Sequence, residues 1–155
     1  MKRRNKALLT LLLGALLVLS GCGREEKAPP VMEELYDSMA AQVELPELES
    51  LGERQQRDRL GLEKEQLPQS LVMVSRDPLR LDEIWLLECA DPETAQQMET
   101  LAENHRQSLC RQSRDYSPQQ YALAQKARVC REGVYLGFFL GEEADRLAEI
   151  FRRAV

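Results

Sequence analysis

The side chains best suited to nucleophilic, acid–base or metal chemistry are few: cysteines at 22, 89, 110 and 130, and one histidine, His105. Acid–base work near neutral pH would run through His105. A thiol nucleophile needs that base within hydrogen-bond reach. Cys110 is five residues further along the same predicted helix, about 140° around it and so on another face. Cys89 and Cys130 stay open as partners. His105 lies four residues from both Leu101 and Leu109, on their apolar stripe, which predicts a partly buried structural role. The gaps of 21 and 20 residues between Cys89, Cys110 and Cys130 do not match zinc-site spacing, and an odd count is no disulfide framework. Small buried hydrophobes without a disulfide are expected, with a single Cys89–Cys130 bridge as the alternative.

Other chemistry-bearing patterns are missing. There is no Gly-x-Ser-x-Gly, no His-Glu-x-x-His and no glycine-rich phosphate loop. The acidic groups Glu33-Glu34, Glu47 with Glu49, and Glu142-Glu143 lack the alternation of a calcium loop and read as solvated faces. Arg106, Arg111 and Arg114 fall at the end of the long predicted helix, near Tyr116 and Tyr121. They suit a helix C-terminus and cover apolar surface with their stems; an anion or peptide contact is the alternative. No catalytic residue, metal ligand or cofactor follows from these patterns.

Cys22 stands apart, because it ends an apolar run. Met-Lys-Arg-Arg-Asn-Lys opens the chain with four positive charges, Ala7 to Leu19 are leucine-rich, and Gly-Arg-Glu-Glu follows the cysteine. That is the layout of a signal peptide. The run is shorter than the roughly 20 residues a permanent membrane span needs. Leu19-Ser20-Gly21-Cys22 resembles the lipobox of bacterial lipoproteins. The resemblance implies a signal peptide over residues 1–21, with Cys22 as the lipidated first residue of the mature chain, joined to the membrane through diacylglycerol. Two or three acyl chains, palmitate among them, hold a protein at a bilayer where one does not. Gly23 is not the aspartate that often marks inner-membrane retention in two-membrane bacteria, and the expected location is the extracytoplasmic face of the cell membrane, which a family resemblance given below narrows to a Gram-positive one.

After Cys22 the chain carries 17 basic and 26 acidic residues, a net charge of −9. Nucleic acid and anionic lipid surfaces both require concentrated Lys and Arg, so neither is expected as a partner. The 134 residues left after the signal suffice for one modest domain. Residues 22–30, charged and ending in Pro29-Pro30, read as lipidated cysteine and tether, and residues 31–155 as a single α+β domain.

Within that domain, Val31, Leu35, Met39 and Val43 recur every four residues and predict a helix that Pro46 ends. A frayed helix is expected around 49–60, with a turn at Gly61. "SLVMVS" and "LDEIWLLECA" predict strands on either side of a turn at Pro78. Asp91 and Ser117 can cap helices that begin at Pro92 and Pro118. "ARVC" and "VYLGFFLG" flank Gly133 as a hairpin, and Gly141-Glu142-Glu143 opens a last helix. The expected fold is α+β, a largely antiparallel sheet of three to four strands with helices packed on one face.

Asp82-Glu83-Ile84 at a strand start, Arg106 late in the long helix, Tyr116, Pro118 and Gln119 before a short helix, then Ala127, Gly133 and Tyr135 form a recognisable series. It is similar to a domain-of-unknown-function family of small Gram-positive lipoproteins, the one numbered four-three-five-eight. The similarity covers roughly residues 31–155 and is strongest from Leu81 onward. It implies a lipoprotein outside the cell membrane and supplies no catalytic residues. The resulting expectation is a non-catalytic, lipid-anchored module that binds a protein or small ligand at the cell surface, or serves as an assembly or sensor accessory. The alternative is a cysteine-dependent hydrolase or redox enzyme pairing Cys89, Cys110 or Cys130 with His105.

Overall fold

A computed structural model describes residues 28–155 of the chain. The expected signal peptide, Cys22 and most of the tether lie outside the described residues. Helix α1 (Met32–Ala40) places Met32, Leu35 and Met39 inward and Glu33 and Glu34 in its first turn, where the helix dipole favours acids. It stops three residues before Val43, which is buried in the loop beyond it.

Strand β1 (Leu48–Ser50) follows, then α2 (Glu53–Leu60). The helix expected from 49 therefore begins four residues later. The Gln55 side chain accepts the Gly52 N–H at 3.0 Å, and Gly61 ends α2 in the left-handed conformation, at φ 71°. After a 3-10 turn (Lys64–Gln66) come β2 (Gln69–Ser75) and β3 (Glu83–Glu88). Helix α3 (Pro92–Ser113) starts as expected, with the Asp91 carboxylate accepting the Thr94 N–H at 2.7 Å. Ser117 likewise caps α4 (Pro118–Lys126). Strands β4 (Arg128–Glu132) and β5 (Tyr135–Leu140) form the predicted hairpin, with Gly133 at φ 61°, and α5 (Ala144–Ala154) ends the fold.

All strand pairs are antiparallel and the order is β1-β2-β3-β5-β4. Among the described residues the sheet thus has five strands, not three or four. The extra one is β1, an edge strand of three residues too short and too polar to show any alternation.

The helices cover both faces of the sheet, which corrects the one-face expectation. Trp85, Leu87, Leu136 and Phe138 point into a core with α3 and α4, while Ile84, Leu86 and Phe139 point into a second core with α1 and α5. The physical reason is in β3, which is apolar at consecutive positions; a strand of that kind needs cover above and below. Full burial of each such Leu, Ile or Phe stabilises the fold by roughly 1.5–3 kcal/mol, so neither face can stay open.

Candidate functional site

At one end of the sheet, β3 begins, β5 ends, and Glu83 pairs with Leu140. Just before β3, the turn Ser75–Leu81 is held by its own side chains. Asp77 Oδ1 accepts the Leu79 N–H at 2.9 Å, Ser75 Oγ accepts the Asp77 N–H at 3.1 Å, and the Arg80 N–H reaches Asp77 O at 3.1 Å. This turn aims Arg80 back at Asp82. Its Nε and Nη2 donate to the two carboxylate oxygens at 2.8 and 3.1 Å, a bidentate pair in which Asp82 is only 5 % exposed. Gly141 passes next to Asp82 at φ 146°.

Beside this pair lies a cleft of about 330 Å³. The segment Glu44-Leu45-Pro46 and Leu48 form one wall, Ile84 and Leu140 the sheet side, and Glu142, Glu143 and Leu147 the start of α5. Among the described residues its polar groups are mostly carboxylates, and Arg80 is its one cation. Of the acidic groups expected as solvated faces, Glu33, Glu34, Glu47 and Glu49 are exposed as predicted. Glu142 and Glu143 are solvated too, but at the cleft.

A second polar group sits under α3. Glu83, 7 % exposed, accepts the Trp85 indole N–H at 2.6 Å on Oε1 and faces His105 Nε2 at 3.0 Å on Oε2. The imidazole stacks 5.1 Å from the Trp85 ring and 5.7 Å edge-on from Phe138. A carboxylate on one ring nitrogen orients an imidazole, as it does in hydrolytic sites. The third member of such a site would be a hydroxyl or thiol on the other nitrogen, and none bonds there among the described residues. His105 is half-buried, and the neighbours of its ring are Trp85, Phe138 and the Glu83 carboxylate.

The thiols are dispersed. Cys89 and Cys130 are buried in the two cores on opposite faces of the sheet, so the sheet lies between them and no Cys89–Cys130 bridge forms. Cys130 lies against Arg152 Nη2 at 3.2 Å, away from His105. Burial pushes the Cys89 thiol up to about 11, helped by Asp91 and Glu88, so the thiolate is disfavoured there. Cys110 is half-buried beside the α3–α4 core. Of the three arginines at the end of α3, Arg106 is bound by Glu103 and Arg114 lies 5.7 Å above the Tyr121 ring. Among the described residues, no group of three or more His, Cys, Asp or Glu side chains could hold a metal ion, and no helix is long and apolar enough to cross a membrane.

Asp82 and Glu83 carried the family resemblance in the sequence without a stated role, and Arg80 was not singled out; the structure makes all three polar groups at this end of the sheet. The signal was present: two acids open a strand whose apolar run predicts burial on both faces, and buried carboxylates need partners.

A family model described as Domain of unknown function (DUF4358) matches residues 41–141. The chain belongs to this family. Comparison with curated proteins and with solved structures found no match. The DUF4358 segment takes in all five strands and α2 to α4, together with Arg80, Asp82, Glu83 and His105. Helices α1 and α5, which cover the second face, lie outside it, so the match is narrower than the expected 31–155.

Proposed function

We propose that this DUF4358 chain is a lipid-anchored, extracytoplasmic binding module without catalytic activity, held to the membrane through Cys22. The anchor reading rests on the charged start, the apolar run and the lipobox-like Leu19-Ser20-Gly21-Cys22. A net charge of −9 beyond that point offers no basic surface for anionic lipid, so diacylglycerol on Cys22 does the holding. Gly23 in place of a retention aspartate, with the family resemblance, favours the outer leaflet of a Gram-positive cell membrane.

The observation that carries the binding reading is the position of the cleft relative to the chain's entry. Gln69 receives the incoming segment, its Oε1 accepting the Met32 N–H at 3.1 Å and its Nε2 donating to Pro30 O at 3.2 Å. Gln69 pairs with Glu88, at the end of the sheet opposite Glu83 and Leu140. Six-residue strands separate those ends by about 17 Å. A chain tethered at residues 22–30 therefore offers the cleft, and the 77 % exposed Leu79 at its turn, away from the bilayer. Ligand-sized concavities with a few fixed polar groups are the usual form of a binding site.

The test is the mature N-terminus. Mass spectrometry should find diacylglycerol on Cys22, and Cys22→Ala should move the chain out of the detergent phase while leaving its folding unchanged. An unmodified Cys22, or a Cys22→Ala chain that stays membrane-bound, overturns the anchor.

A further inference from the structure

We propose that the cleft binds a small aliphatic amine, a primary ammonium on a short hydrocarbon stem. This deepens the binding reading above and rests on it.

The walls of the cleft divide by chemistry. Ile84, Leu140 and Leu147 are buried and form an apolar floor, while Glu44 and Glu142 are exposed and Glu143 half-exposed, which puts their carboxylates at the mouth. Arg80 is the one cation in the lining among the described residues, and two of its five N–H donors form a bidentate pair with Asp82, so the charge of that carboxylate offsets its own. Glu83 is engaged by Trp85 and His105. Glu44 and Glu143 have no ion-pair partner among the described residues, and Glu142 reaches Arg80 only through its field. Three carboxylates from two separate segments thus stand at the mouth above an apolar floor, outnumbering the single cation beside them, and none has an ion-pair partner among the described residues.

That arrangement selects the ligand. An anion is repelled at the mouth, and a neutral ligand leaves the field unused. A guanidinium presents a flat fork that matches one carboxylate edge-on, whereas an ammonium has three rotatable donors and suits oxygens converging from different segments. The apolar floor takes the stem, and each buried methylene raises affinity about four-fold. The volume, at the lower end of the roughly 300–1,000 Å³ typical of ligand sites, limits the guest to the size of a lysine side chain or a short diamine.

The test titrates the methyl-labelled full chain in zwitterionic nanodiscs with 1,5-diaminopentane. The methyl signals of Ile84, Leu140 and Leu147 should shift to saturation, 1,3-diaminopropane should bind several-fold more weakly, and added salt should weaken both. Glu142→Gln and Glu143→Gln should each lower affinity about two- to five-fold, with methyl signals remote from the cleft unchanged. Nα-acetyl-lysine amide separates the sources: binding assigns the site to lysine side chains of a polypeptide, and failure assigns it to free amines. Hexanoate is the control of opposite charge. Saturable binding of hexanoate at the same methyls, or glutamine variants that bind diamine as tightly as the parent, overturns the amine assignment and leaves the binding module standing. If no probe moves the cleft methyls, the amine assignment and the binding reading of the cleft both fall, while the anchor stands on its own test at Cys22.

Discussion

A methyl group on Gly141 would sit 3.0 Å from Asp82 Oδ1, at a backbone φ of 146° that side-chain-bearing residues rarely adopt. Glycine at this position lets β5 turn into α5 directly beside the Arg80–Asp82 pair. Gly141→Ala is expected to cost about 1–3 kcal/mol through backbone strain alone. It should also displace the fork from its present geometry. Chemical denaturation measures the first effect, and a nitrogen chemical shift at Arg80 Nε the second. An alanine variant as stable as the parent would mean that the chain can relax here without disturbing Asp82.

The Glu83 carboxylate holds two side chains at once, the Trp85 indole and the His105 ring. Glu83→Ala leaves the buried indole N–H without an acceptor and opens a cavity, so a loss of about 3–5 kcal/mol is expected. Glu83→Gln keeps an acceptor for the indole and should recover most of that loss. Equal destabilisation by the two variants would show that charge, not hydrogen bonding, is what Glu83 supplies. Equilibrium unfolding followed by Trp85 fluorescence reads both.

Thiol reactivity should follow burial. Cys130, like Cys89, is raised by burial, although Arg152 pulls it partly back. At pH 8, iodoacetamide is expected to label Cys110 first and to reach Cys89 and Cys130 only after unfolding. Because all three thiols are free, reductant should leave the melting temperature of the domain unchanged. A marked fall on reduction would reveal a bridge and contradict the geometry.

Acid should weaken the fold in a definable window. The Thr94 N–H holds Asp91 below its ordinary 3.8, Arg106 holds Glu103 below 4.5, and Arg128 holds Asp145 below 3.8. A carboxylate with a depressed folded-state pKa stabilises the fold above its unfolded value, and that contribution is lost as pH falls through the folded value. Melting temperature should therefore fall as pH drops below about 4. Glu103→Gln and Asp145→Asn should be less stable than the parent at pH 7 and converge with it in acid. Curves that stay parallel would assign the acid sensitivity to other groups.

Much of this architecture was legible because it depends on residues that act locally. Asp91-Pro92 and Ser117-Pro118 start helices through their own side chains and ring geometry, and Gly61 and Gly133 end or reverse the chain through a positive φ, so their positions were readable in isolation. Strand β1 was not readable, since Leu48, Glu49 and Ser50 are extended only because β2 presents a free edge to them. The second helical face was encoded in "IWLLE", whose consecutive apolar residues require burial on both sides, whereas helices on one face alone would require a strand that alternates. The cleft was hidden for a third reason. Arg80, Glu44 and Glu142 are far apart in the chain, and only the antiparallel return of β5 beside β3 brings their segments to one end of the sheet.

The two-sided burial of β3 also sets a clock within the molecule. Its backbone lies between β2 and β5 and beneath helices on both faces. Water therefore reaches its amide hydrogens only when the whole fold opens, and their exchange with deuterium reports the global unfolding free energy. At the margin, β1 has one neighbour and two exposed residues, Glu49 and Ser50. Fraying of three residues frees its amides long before the centre opens. Deuterium should thus enter from the β1 edge and arrive last at Trp85 and Leu86, so the wall of the cleft containing Leu48 loosens many times for each opening of the strand that carries Ile84.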